Sequence, residues 1–204
     1  MCIERTPRGK RFGPQINRVP SEADLITVTA GGNDLGYIGG MIAAAYAGWL
    51  RSRRLTRPLG RILERRPSPA ATELDLARVE SGLVNVVEAA RNRPRGARIV
   101  LVDSLTVLGD YDPGDAAPLT ASDAEALREV ARGLVDATAR AAQSTGADLI
   151  QASGLSVDHG LGSPDPWVTG FRPSMRPMPF HPTAHGMQEV ADALYQLLTS
   201  DRTA

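Results

Sequence analysis

The sequence predicts an α/β protein in three layers, a parallel sheet covered by helices on both faces. Three observations carry this. Short apolar segments rich in β-branched residues fall at about 24–30, 97–103 and 147–152. Stretches of helical periodicity separate them, and alternation of strands with helices is the signature of a parallel sheet. The first segment also runs straight into Gly31-Gly-Asn-Asp34, and open α/β sheets place their ligands just beyond the carboxyl ends of such strands.

The chain is long enough for one domain with a sizeable core, at 204 residues, 42% hydrophobic and 23% charged. Net charge is zero, so nothing global points to nucleic acid or an anionic membrane. The charge is unevenly spread: residues 1–66 sum to +7 and residues 67–204 to −7. With no aromatic residues interleaved among the arginines at 51–66, we read this as Arg-rich surface loops and expect no nucleic-acid partner. Cys2 is the only cysteine, which excludes an intrachain disulfide. Three histidines without ligand-like spacing give no reason to expect a metal, and no motif asks for a cofactor. Residues 1–11 are polar and basic with no apolar core, so no signal peptide opens the sequence and the chain as written reads as cytoplasmic. A secreted setting is open if the true amino end is missing. Residues 35–50 are uncharged, but this run is short for a transmembrane segment and holds four glycines. It reads as a buried helix or lid wall.

Residues 1–20 are basic, hold three prolines and show no period; they read as a tail or loop before a domain at 21–200. Leu25, Ile26, Val28 and Ala30, interleaved with Thr27 and Thr29, read as a strand buried on both faces. The glycines after it allow close backbone approach. Asn33 offers an amide donor, and Asp34 a group to pin the loop. The plainer reading of these four residues is a turn. A helix is predicted from Ile38 to Leu50, reaching toward Arg54. Residues 55–70, with Pro58, Pro67 and Pro69, read as an exposed linker. Leu74, Leu76, Val79, Leu83, Val86, Val87 and Ala90 predict a helix over 71–93, ended by Pro94-Arg-Gly96. The strand at 97–103 leads to loop chemistry at Gly109-Asp-Tyr-Asp-Pro-Gly114. Ser122 with Glu125 reads as a capping box opening a helix over 122–144. Its buried stripe is Leu127, Val130, Ala131, Leu134, Val135 and Ala142, with Thr138 polar on that face. The strand at 147–152 precedes a long Gly- and Pro-rich loop at 153–180. His181-Pro-Thr-Ala-His-Gly-Met187 then opens a last helix carrying Val190, Ala191, Leu194, Leu197 and Leu198.

The pairing of strand-GGND with a late His-Pro-x-x-x-Gly resembles the SGNH (GDSL-type) hydrolases, and more narrowly their actinobacterial esterase and lipase branch. Pro14-Gln15-Ile16, Leu25-Ile-Thr-Val-Thr29 and Pro166-Trp167-Val168 agree with it, and the resemblance runs from about residue 13 to the end. It implies the three-layer α/β/α, flavodoxin-like sheet of that family, and a carboxylic-ester hydrolase acting through an acyl-serine on a small ester or lipid. By motif match His181 is the catalytic base, and Asn33, with Gly32, belongs to the oxyanion hole. An intact member begins with a strand ending in Gly-Asp-Ser, whose serine is the nucleophile. Here GGND arrives at residue 31 with neither that block nor the next before it. The resemblance therefore implies a sheet truncated at its amino end and a fragment lacking its nucleophile. The alternative is a non-catalytic remnant that binds a ligand or partner through the same crevice.

Three positions stay open at this stage. Ser104, in Val102-Asp-Ser-Leu-Thr106, mimics the missing signature at the end of a strand, but it leads into a loop where a family nucleophile leads into a helix. The position three residues before His181, where the family places an aspartate, is Met178. Its backbone carbonyl, Asp165 or Asp158 are the candidates to orient the ring. His185 falls on the first helical turn, facing solvent, and His159 in the loop reads as a surface histidine, with contact to substrate the alternative.

Overall fold

The computed structural model describes residues 4–5, 11–12, 15–93, 96–174 and 178–200. The segment read as a tail or loop contains a two-rung antiparallel ladder, β1 (Glu4–Arg5) with β2 (Arg11–Phe12), and a 3-10 turn at Gln15–Arg18. Ile16 of that turn packs into the core. Three further strands, β3 (Leu25–Val28), β4 (Arg98–Val102) and β5 (Asp148–Ile150), form a parallel sheet in the order β3-β4-β5. The register sets Leu25 against Arg98 and Val100 against Asp148.

Helices α1 (Tyr37–Ser52), α2 (Arg57–Leu63) and α3 (Glu73–Arg91) connect β3 to β4, and α4 (Ala121–Thr145) connects β4 to β5. α2 lies within the stretch expected to be a linker. Pro58, read as a breaker, stands in its first turn, where a missing N–H costs nothing. α3 opens on a capping box between Thr72 and Asp75. Pro94 and Arg95, expected to end it, lie outside the described residues. α4 is capped by Thr120, whose hydroxyl accepts from the Asp123 amide, rather than by Ser122. Ala124, Leu127, Val130, Leu134, Ala137, Thr138, Ala141 and Ala142 form its buried stripe, and Thr138 satisfies its hydroxyl on the Leu134 carbonyl. Ala131 and Val135 are only partly covered. The short helix α5 (Ala152–Leu155) follows β5, and α6 (Ala184–Ser200) ends the description.

The two-residue period of the strands sorts side chains between layers. Ile26, Val28, Ile99, Leu101 and Leu149 meet α3 and α4 on one face. Leu25, Val100, Val102 and Ile150 meet Val190, Ala193, Leu194 and Leu197 of α6 on the other. A further cluster lies beyond the carboxyl ends of the strands. It joins Tyr37, Met41 and Ala45 of α1, Leu127 and Val130 of α4, and Leu161, Val168, Phe171 and Phe180 from the long loop.

β3 is not buried on both faces as its composition predicts. Among the described residues it pairs only with β4, its apolar side chains are half-covered and Thr27 is exposed. With no neighbour on its outer side among the described residues, this strand presents an open edge, and such edges template association with other chains. We expect light scattering to show self-association of the 204-residue chain that rises with concentration. Thr27→Lys, which sets a charge on the edge, should lower it. A mass that stays monomeric over the whole concentration range contradicts the open-edge reading.

Candidate active site

The Gly-Gly-Asn-Asp loop is held by backbone bonds. Asp34 N and Leu35 N donate to the Gly31 carbonyl, Tyr37 N to Gly32 O, and Gly36 N to Asn33 O. The turn thus winds directly into α1. Only glycine fits at its start: Gly31 has φ +102°, and a Cβ there would stand 2.8 Å from both Leu134 Cδ1 and Val79 Cγ1. The loop's first residue is therefore pressed onto α3 and α4, which leaves Asn33 and Asp34 exposed at its crest.

His181 is held by a second backbone device. Residues 167–169 and 180–183 run antiparallel: Thr169 N donates to His181 O at 2.8 Å, Phe180 N to Thr169 O at 2.8 Å, and Thr183 N to Trp167 O at 2.8 Å. The Thr169 hydroxyl closes the turn between them. It donates to Met178 O at 2.9 Å and accepts from His181 N at 3.1 Å. Phe180 sits at φ +61°, an uncommon conformation for a bulky residue, with its ring buried beside Val168 and Phe171. This geometry brings the Pro179 carbonyl to 2.9 Å from His181 Nδ1. In the neutral ring Nδ1 then carries the proton, and Nε2, which has no hydrogen-bond partner among the described residues, keeps its lone pair free. Thr183 caps α6 through the Gly186 amide. Gly186 lets that helix start close against the motif strand, since a Cβ there would lie 2.6 Å from Trp167 O.

The carbonyl that meets the ring is therefore that of Pro179, one residue after the expected Met178, whose own carbonyl is taken by Thr169. Asp165 is engaged elsewhere. It accepts from Trp167 Nε1 at 3.2 Å and lies 3.4 Å from both His159 and His185. His159 stacks on Trp167 with centroids 4.1 Å apart, and so does more than sit on the surface. His185 has a carboxylate at each ring nitrogen, Asp165 at Nδ1 and Glu189 at Nε2, an arrangement that leaves no free base. Asp158 is exposed. Ser104 follows β4 into irregular chain, and the next regular element is a 3-10 turn at Gly114–Ala116. Its neighbour Asp103 is buried and accepts from the Ser153 amide at 2.8 Å and hydroxyl at 2.6 Å; burial raises its carboxyl above the ordinary range despite those bonds. Among the described residues no group of three or more His, Cys, Asp or Glu is placed to hold a metal.

Sequence reasoning singled out Asn33 and His181 and did not anticipate Thr169, Pro179 and Phe180. Nothing in composition marks a phenylalanine for positive φ. The loops carrying Asn33 and His181 share one footing, because Leu35 and Tyr37 from the first pack in the same apolar cluster as Phe180 from the second.

The architecture is a parallel sheet between helical layers, with a Gly-Asn loop at one strand end and an imidazole ahead of the last helix. Residues 4–189 match the GDSL-like lipase/acylhydrolase family, and the chain belongs to it. It is 28% identical over 194 residues to Lipase 2 of Streptomyces coelicolor, covering 92% of this chain and 64% of that protein's length. Among solved structures it resembles phospholipase A1 from Streptomyces albidoflavus, with TM-score 0.66 and 18% identity. It also resembles an extracellular lipase from Streptomyces rimosus, with TM-score 0.59 and 19% identity. Each comparison covers 88% of this chain and 72% of the other, and at these identities they speak for the fold.

The tight seat of Gly31 is testable. Gly31→Ala should cost about 2–4 kcal/mol in urea unfolding, from overpacking and a left-handed backbone together. Leu134→Ala alone should cost about 2–5 kcal/mol. Because the second change opens space for the first, the double variant should fall short of the sum by about 1 kcal/mol or more. Strict additivity contradicts the contact.

Proposed function

We propose that this chain carries the base and oxyanion side of an SGNH-type serine ester hydrolase, with its nucleophile outside these 204 residues. The observation that carries the reading is His181, whose Nδ1 faces the Pro179 carbonyl at 2.9 Å and whose Nε2 is without a partner among the described residues. In this reading a serine hydroxyl presented to Nε2 gives up its proton as Oγ attacks the ester carbonyl. The Asn33 amide and the Gly32 backbone N–H donate to the resulting oxyanion. Protonated His181 returns the proton to the leaving alcohol, and water releases the acyl group by the same route.

Family membership supports the chemistry, and the relatives named a lipase and a phospholipase A1 support a small ester or lipid substrate. Likeness to an extracellular lipase supports a secreted setting for the whole protein. Ser104 is not the nucleophile in this account. A nucleophile elbow turns from strand into helix, whereas the chain after β4 enters a loop.

The 204-residue chain should hydrolyse a short-chain activated ester no faster than its His181→Ala variant. In a longer chain that presents a Gly-Asp-Ser serine to this site, turnover should appear. There His181→Ala should lower it by several orders of magnitude. Asn33→Ala should lower it on the order of 10²–10³-fold. Robust turnover by the short chain, lost on Ser104→Ala, overturns the proposal.

A further inference from the structure

The segment 51–66 combines two features that sequence alone does not distinguish from an ordinary surface loop. It holds seven arginines and one acidic residue, Glu64. Glu64 is tied to Arg51 by a 2.9 Å ion pair, while Arg53, Arg54, Arg57, Arg61, Arg65 and Arg66 are exposed. Three large apolar side chains stand among them: Leu55 is 97% exposed, Ile62 60% and Leu59 50%. Leu59 and Ile62, three residues apart on α2, share one face of that helix.

This exposure is built into the packing. Gly60, the buried residue of α2, lies so close to α1 that a Cβ would stand 2.4 Å from Arg51 N and 2.8 Å from Ala47 O. That contact presses one side of α2 onto α1 and turns Leu59 and Ile62 away from it. Thr56 holds the entry to the helix through the Leu50 carbonyl, at 2.8 Å. Arg66 reaches back to the Ala43 carbonyl at 3.4 Å.

We infer that this face docks on an anionic phospholipid bilayer. Arginine-rich surface charge attracts acidic headgroups, and leucine and isoleucine side chains inserted at the headgroup–acyl boundary supply the apolar part of such binding. A polyanion such as RNA matches the charge but offers nothing to three exposed aliphatic side chains. The same ground carries a cleft of about 360 Å³, lined by Gly40, Ala43, Ala44 and Ala47 of α1, by Leu63 at the end of α2 and by Leu35, two residues past Asn33. Bilayer contact thus adjoins a cleft that also carries Glu64, Arg66 and Asp123 on its wall and reaches Leu35 and Gly36 beside the Gly-Gly-Asn-Asp loop. The inference stands independently of the proposed reaction, because it concerns binding and its test measures no turnover.

The experiment is co-sedimentation of the full chain with phosphatidylcholine vesicles and with equimolar phosphatidylcholine/phosphatidylglycerol vesicles, at low and physiological salt. Binding to the anionic vesicles alone, weakened by salt, is the expected result. Replacing Arg54, Arg57, Arg61 and Arg65 by Gln should weaken it by about fivefold per arginine. Replacing Leu55, Leu59 and Ile62 by Ser should weaken it on the order of tenfold or more. The substituted side chains are exposed, and circular dichroism checks the fold. Leu55→Ser, at a position outside the helix, tests the apolar term should the triple variant unfold, and it should weaken binding measurably. Failure to bind either vesicle overturns the inference, as does equal binding to both. Anionic binding that ignores the apolar changes, and that heparin or RNA reproduces at equal strength, marks a polyanion site instead and overturns it too.

Discussion

The burial of β4 on both faces is the constraint from which the rest of the molecule follows. Its five residues alternate between two helical layers, and Val100 and Leu101, which point opposite ways, have no exposed surface. A strand so placed must satisfy its backbone on both sides. β3 and β5 do this, in parallel, and parallel pairing requires the long helical crossovers that fill the chain between them. All three strands then end on the same side. The Gly-Gly-Asn-Asp turn and the Asp103 segment leave from that side, and the apolar cluster of α1, α4 and the long loop closes over it.

Above that cluster the His181 imidazole is oriented by main chain. A carboxylate partner would bring a second charge close to the base and stabilise the protonated ring; a peptide carbonyl fixes the tautomer with a dipole alone. The cost of this solution is conformational. Phe180 accepts a left-handed backbone and is kept there by burial of its ring, and Thr169 spends its only side-chain polar group on closing the turn. Strain held in place by surrounding packing is a recurrent property of functional segments. A carboxylate of the loop, Asp165, instead ties together Trp167, His159 and His185, which fixes the start of α6.

Much of this was legible because it is periodic. The strands, the α3 and α4 stripes and the start of the last helix all follow from spacing of apolar residues, and the Asn33 and His181 loops from short motifs. What was not legible depends on distant packing. β3 has the composition of an interior strand and stands at an edge, because composition reports what a strand can tolerate and its neighbours decide what it receives. Pro58 reads as a break and opens α2, since a proline's meaning depends on which turn it occupies. Thr120 rather than Ser122 caps α4, although serine is the stronger capping residue by type. The arginines of 51–66 were expected to be plain surface, and it is the exposure of Leu55, Leu59 and Ile62 among them that distinguishes the segment.

Among the described residues His181 is held by the Pro179 carbonyl with a proton on Nδ1 and no hydrogen-bond partner at Nε2. Long-range ¹⁵N–¹H correlation spectra of the histidine-labelled chain, recorded on the neutral ring, test this arrangement most directly. The account predicts a single Nδ1–H tautomer for His181, with Nε2 at the shift of an unprotonated nitrogen. A dominant Nε2–H tautomer, or the averaged shifts of a freely exchanging ring, would contradict it.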